Sequence, residues 1–137
     1  VTWAQLNEML ASGLVEVQNH SYDLHSYTPE RYGCLPNAGE SEVDYAQLLR
    51  ADLQRLQDAL TSCTGCTPDT FAYPYGKYSD LTDTVLRGMG FQATLSCDWG
   101  INRLTHDPAC LYRLRRICRS HGQPLSAALE RAYRAAG

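Results

Sequence analysis

Apolar positions along the chain alternate between helical spacing and short continuous runs, and the punctuation between them is sharp. Thr2 with Gln5 three residues later forms a capping box, and Leu6, Met9 and Leu10 give the helix that follows one apolar face, with Gly13 just past its end. Residues 14–18 then read as a strand running into Asn19-His20. Ser41 with Asp44 opens a second helix with a buried stripe of Leu48, Leu49, Leu53, Leu56 and Leu60, which stops before Cys63-Thr-Gly-Cys66. Residues 70–73 read as a strand halted by Pro74 and Gly76. Ser79 or Asp80 caps a third helix that ends at Gly88 or Gly90, 91–96 is a third strand and 111–117 a fourth. Pro124 opens a final Ala-rich helix, a position where its missing N–H costs nothing. The pattern lapses over 26–42, a loop rich in Gly, Pro, Ser and Tyr, and loops of that length inside a compact domain tend to be functional.

This alternation predicts an α/β domain with about four mostly parallel strands. Four strands do not close a barrel, so the sheet is either open or part of a larger barrel. The chain begins with Val1 and enters a helix almost at once, which favours the larger barrel and a processed or excised piece of something longer. With 137 residues, a single domain over 1–137 is expected, and 44% hydrophobic against 20% charged residues is enough to bury a core. No run approaches the roughly 18 apolar residues of a membrane-spanning helix, and no signal segment is visible.

Charge adds one asymmetry. Residues 1–102 carry five basic and thirteen acidic side chains, whereas 103–137 carry seven Arg and two acids. Those Arg fall in a strand pattern and a terminal helix without interleaved aromatics, so a solvated or internally paired face is expected and nucleic acid is not. Six cysteines (Cys34, Cys63, Cys66, Cys97, Cys110 and Cys118) suit an oxidising compartment, as loop disulfides or buried thiols. Cys63 and Cys66 form the only close pair, and it follows a helix rather than opening one, unlike a thioredoxin-type redox motif.

In parallel α/β folds chemistry gathers at the carboxyl ends of strands. Here those ends are Asn19-His20-Ser21-Tyr22-Asp23-Leu24-His25, Tyr73-Pro74-Tyr75-Gly76 and Ser96-Cys97-Asp98-Trp99. His20 and His25 are too far apart to face each other on a regular helix, yet a strand end followed by a turn can bring them to one ion; otherwise they are loop histidines bonded to backbone. Tyr22, Tyr73 and Tyr78 are either sugar-stacking platforms or core-edge residues with wet hydroxyls. Asp23 lies between the histidines, where a carboxylate can accept backbone hydrogens in the turn.

The stretch from Trp3 through Gly-Leu-Val-Glu-Val-Gln-Asn-His-Ser-Tyr-Asp-Leu-His25, with the block Phe71-Ala-Tyr-Pro-Tyr-Gly-Lys-Tyr-Ser79, resembles the polysaccharide deacetylases of carbohydrate esterase family 4. The resemblance implies a distorted (β/α) barrel, with His20 and His25 as metal ligands and the Tyr75 backbone amide as oxyanion donor. Tyr73 and Pro74 would line the substrate groove, and Asp98-Trp99 looks like the family's Asp-Trp element, which makes Asp98 a catalytic candidate. The ion would be zinc or another divalent transition metal, polarising an N-acetyl carbonyl and lowering the pKa of its water toward ~7. An N-acetylated polysaccharide is the implied partner, and an extracellular or cell-surface location follows from that substrate.

The sequence also departs from the family. No Asp-Asp pair occurs, although the family takes its base and third ligand from one on its opening strand, so the amino-terminal third of the domain is expected to be missing. Ala72 stands where many members carry Arg, and His121, in Ser120-His-Gly122, is a weak match to a late catalytic histidine. Arg115 and Arg116 should point to opposite faces of their strand, the inward one toward an active-site carboxylate. The expectation is a metal-dependent deacetylase of an N-acetylglucosamine polymer, inactive or nearly so as this piece alone. A non-catalytic glycan-binding module on the same fold is the alternative, and raw sheet edges would favour a homo-oligomer.

Overall fold

The computed structural model describes residues 1–136. In chain order its elements are α1 (Trp3–Ala11), α2 (Glu42–Thr64), β1 (Thr70–Ala72), α3 (Asp80–Gly88), β2 (Ala93–Trp99), β3 (Leu114–Arg116) and α4 (Leu125–Ala136), with 3₁₀ turns at Pro74–Gly76 and Pro108–Leu111. The strands form a three-stranded sheet in the order β1-β2-β3, parallel throughout, so the expected α/β class holds.

One of the four expected strands is absent. Residues 14–18 carry no ladder; a single parallel bridge, Asn19 to Phe71, stands where that strand would have joined β1. The Gln18 side chain explains the loss, because its Oε1 accepts from the N–H groups of Asp69 (3.1 Å) and Thr70 (3.0 Å). Asn19 alone then pairs by backbone, donating to Thr70 O at 3.1 Å and accepting from Ala72 N at 3.0 Å. Leu14 is 90% exposed, so the apolar run that suggested a strand buries little.

Other boundaries moved for local reasons. The second helix continues through Cys63 to Thr64 and ends on Gly65, whose φ of 75° supplies the left-handed cap that glycine tolerates best. Tyr45 joins Leu49, Leu53 and Leu60 in the buried stripe, while Leu48 faces outward. Phe91 is used by the cap of α3, its N–H donating to Leu86 O, so β2 begins two residues later and runs on to Trp99. The fourth expected strand shrinks to β3, because Asp107 caps the Pro108–Leu111 turn and Arg113 adopts a φ of 60°. Asn102 takes both polar groups of the Arg115 backbone, donating to its O (2.9 Å) and accepting from its N–H (2.8 Å).

The core lies between the sheet and α2 and α3. Leu49 and Leu53 of α2 and Val85 and Leu86 of α3 close over Phe71, Tyr73 and Phe91, with Leu24 from the segment after Asn19 and Cys34 from the 26–42 loop plugging it. Its polar groups are paired: Tyr45 donates to Cys34 O at 2.6 Å, and the Tyr73 hydroxyl donates to Asp83 and lies 2.8 Å from Thr94 Oγ1. Arg113 Nε completes that network on Asp83 at 2.7 Å. Burial pushes the Cys34 thiol and the Tyr45 phenol each up to about 12. All six cysteines are free thiols, so the expected loop disulfides are not formed; Cys34 is buried and Cys63 and Cys66 sit on either side of the α2 cap.

Candidate active site

Because the strands are parallel, Asn19, Ala72 and the end of β2 deliver their following residues to one edge of the sheet. Ser21 takes a φ of 73° immediately after His20, and the chain turns back so that the His20 and His25 ring centroids are 4.9 Å apart. The sharp turn is held by side chains. Asn19 Oδ1 accepts from Ser21 N (2.9 Å), and Ser21 Oγ accepts from Leu24 N (3.1 Å). The Asp52 carboxylate of α2 accepts from Tyr22 N (2.9 Å) through one oxygen and from Asp23 N (2.8 Å) through the other. Sequence reasoning missed Asp52, since the residue it serves is thirty positions away and on another element.

His20 Nδ1 lies 2.6 Å from Ala72 O. A carbonyl accepts only, so Nδ1 carries the proton and Nε2 keeps its lone pair free, the tautomer a metal ligand needs. His25 stacks on Tyr75 with centroids 4.3 Å apart, and Tyr75 Oη donates to His25 O at 3.3 Å. Tyr75 itself has φ 56° and ψ 12°, left-handed for a residue with a side chain. Its N–H makes no hydrogen bond among the described residues, while the next two amides, of Gly76 and Lys77, are both paired. An unpaired amide on the residue whose ring packs against His25 is the kind of donor an oxyanion requires.

The donor set fits a transition ion in part. Two imidazoles with one ring nitrogen anchored suit zinc or its neighbours. Among the described residues no third His, Cys, Asp or Glu joins them in a group that could hold an ion.

Several expected site residues lie elsewhere. Tyr73 and Pro74 are buried, so neither lines a groove: the Tyr73 ring is core and its hydroxyl is spent on Asp83. Asp98 is exposed at the end of β2 and accepts from Tyr78 Oη at 2.9 Å, a contact with the phenol rather than with the histidines. Tyr78 also lies under the Arg113 guanidinium, and Tyr22 under that of Arg55 at 3.8 Å, so all three tyrosines considered for sugar stacking are engaged internally. Arg115 and Arg116 are both exposed; Arg116 folds back on Ser96 O and places a guanidinium nitrogen 2.8 Å from Cys97 Sγ. Asp23 and His121 are exposed on turns.

Comparison with known proteins assigns the chain to a family. The sequence model of the family described as Polysaccharide deacetylase matches residues 1–94. The chain belongs to the polysaccharide deacetylase family. Among curated relatives, the poly-beta-1,6-N-acetyl-D-glucosamine N-deacetylase of Escherichia coli (strain K12) is 23% identical over 119 residues, covering 73% of this chain and 17% of the relative. The enzyme of the same name from Staphylococcus aureus (strain MSSA476) is 29% identical over 94 residues, covering 69% of this chain and 30% of the relative. The structure of IcaB from Ammonifex degensii superposes with a TM-score of 0.72 at 30% identity, over 96% of this chain and 53% of that one. This deacetylase-family chain thus spans a minority of the curated relatives' lengths and about half of that solved chain, and its α/β sheet is part of the family's barrel-type fold.

Proposed function

We propose that this domain serves the metal-dependent N-deacetylation of an N-acetylglucosamine-containing polysaccharide, with His20 and His25 as two ligands of a divalent transition ion and the Tyr75 amide as oxyanion donor. The observation that carries the reading is the pairing of an anchored His20, Nε2 free, with a second imidazole and an unpaired main-chain N–H on one strand edge. The curated relatives act on poly-β-1,6-N-acetylglucosamine by name, which supports the polymer class. Such a polymer lies outside the cell, and an extracellular or surface location goes with it. No helix among the described residues is long and apolar enough to cross a membrane.

In this reading His20 and His25 would hold the ion, which would supply Lewis-acid polarisation of the acetyl carbonyl. Ala72 O holds the His20 ring in the ligating tautomer, and Asp52 holds the turn that brings His25 alongside. As water adds to the carbonyl carbon, the carbonyl oxygen gains charge and the Tyr75 N–H donates to it without having to break an existing bond. C–N cleavage then releases acetate and the amine, which takes up the proton the water gave up. With no third donor among the described residues, the chain alone binds the ion weakly and releases little acetate.

A calorimetric zinc titration of the chain and of His20→Ala tests this. Saturable binding that disappears in the variant is expected; binding that survives in His20→Ala overturns the ligand assignment. A second reading, a glycan-binding module without chemistry, draws on Ala72 and on the incomplete donor set. It predicts oligosaccharide binding with no zinc binding at all.

A further inference from the structure

Five rings stand in series along the edge of the site. From His20 the centroids step to His25 (4.9 Å), Tyr75 (4.3 Å), Tyr32 (5.0 Å) and Tyr27 (4.8 Å). The last two come from the 26–42 loop, and the outermost ring, Tyr27, is 75% exposed. An exposed ring on a floppy loop would mean little, but this loop is fixed at several points. Tyr27 and Tyr32 form an antiparallel bridge, Thr28 N donates to Arg31 O at 2.9 Å, and Gly33 N donates to Ser26 O at 3.1 Å. The Arg31–Glu40 pair spans the loop at 2.6 Å with both side chains nearly out of solvent, and Arg31 Nη1 donates to Leu35 O at 2.8 Å. At Gly33, with φ +58°, a Cβ would stand 2.8 Å from Pro74 O, so the loop is seated directly on the turn that carries Tyr75.

Tyr32 is half-buried, one side of it facing the Lys77 ammonium at 5.3 Å, and acts as the spacer between Tyr75 and Tyr27. Tyrosine offers a large, stiff, amphipathic surface at small entropic cost, and holding it in place beforehand removes most of that cost from binding. The apolar face of a pyranose ring is the ligand chemistry that matches such a surface.

Resting on the deacetylase reading, we propose that Tyr27 forms an outer subsite that stacks a sugar unit of the N-acetylglucosamine chain beyond the one presented to His20, His25 and Tyr75. The subsite makes the domain recognise a polymer rather than a single sugar, and the ring rather than the hydroxyl carries the effect.

The test is a calorimetric titration of the chain with a β-1,6-linked N-acetylglucosamine pentamer and with the N-acetylglucosamine monomer, for wild type, Tyr27→Ala and Tyr27→Phe. Tyr27→Ala should weaken pentamer binding about three- to tenfold, the range of one aromatic stacking contact, and leave the monomer unchanged. Tyr27→Phe should bind the pentamer as wild type does. Equal pentamer affinity in wild type and Tyr27→Ala overturns the subsite and leaves the zinc-site reading standing. A pentamer that does not bind wild type overturns both. Tyr27-dependent binding in a chain whose histidines take no zinc supports the subsite and removes the deacetylase reading alone.

Discussion

The two sides of the site edge are built differently. On one side, Asp52 and Tyr45 tie the 19–25 turn and the 26–42 loop to α2, Arg31 closes that loop on itself through Leu35 O and Glu40, and the loop sits against the Pro74–Gly76 turn at Gly33. On the other, Cys97, Asp98, Arg115, Arg116 and His121 are all exposed; Asp98 accepts from the Tyr78 phenol, Arg116 reaches Ser96 O and Cys97 Sγ, and the Arg115 backbone pairs with Asn102. The fully buried large side chains all lie between Asn19 and Thr94, and the family match ends at residue 94 as well. The comparison teaches that recognisable chemistry sits where the backbone is over-determined. A left-handed Tyr75 and a folded-back His20 persist only because neighbouring elements hold them.

The sharpest way to break that contrast is at Gly76, where the two sides touch. A Cβ at Gly76 would lie 2.5 Å from Cys97 Cβ and 2.7 Å from Cys97 N, and Gly76 has a φ of +66°. Backbone cannot give way as a side-chain tip can, so Gly76→Ala should lower stability by about 2–4 kcal/mol in urea unfolding. The same substitution at Gly39, with nothing within 4 Å, retains only the cost of its φ of +78° and should fall well below that.

Asp52 sharpens the comparison at intermediate size. Replacing it with Ala leaves the Tyr22 and Asp23 amides without their acceptor, at about 1–3 kcal/mol. Since those amides form the turn between the two histidines, zinc binding should weaken by roughly tenfold, the scale of groups that orient ligands. Titration of Asp52→Ala and Asp52→Asn with zinc, against their urea midpoints, separates positioning from mere destabilisation: the folded fraction of each variant should still bind more weakly.

What could be read from the residues divides along the same line. The capping boxes, the glycine stops and the leucine stripe of α2 gave the helices, because each is a local device with a local signature. His20, His25 and Tyr75 were singled out through the family resemblance, and the structure brings their three rings together at one edge. The 14–18 strand was not, because its competitor was a side chain, Gln18, reaching residues more than fifty positions away. Tyr73 and Pro74 looked like groove residues for their neighbourhood in sequence, yet the alternation of β1 points the Tyr73 ring inward onto Phe71. Tyr27 and Tyr32 carried no periodic signal; only the closure of the loop onto Pro74 puts Tyr32 beside Tyr75, with Tyr27 beyond it.

Asp98 is the smallest test and the most direct one of the outer side. If it belonged to the metal site, Asp98→Asn would remove a charge from the ion and weaken zinc by an order of magnitude or more. Its bond to Tyr78 Oη says otherwise: the same substitution should leave zinc affinity unchanged within about twofold and stability within about 0.5 kcal/mol. Its visible effect should be on the phenol. The Tyr78 pKa is raised first by burial and then by the hydrogen bond and charge of Asp98. Removing the negative charge deletes the part that disfavours a second anion, so the phenol should ionise at lower pH in Asp98→Asn, still above its ordinary value because the burial remains. Ultraviolet titration of Tyr78, assigned with Tyr78→Phe, reads that shift. A downward shift with zinc binding intact puts Asp98 on the phenol, whereas an unshifted phenol with zinc binding lost would move it back among the ligands.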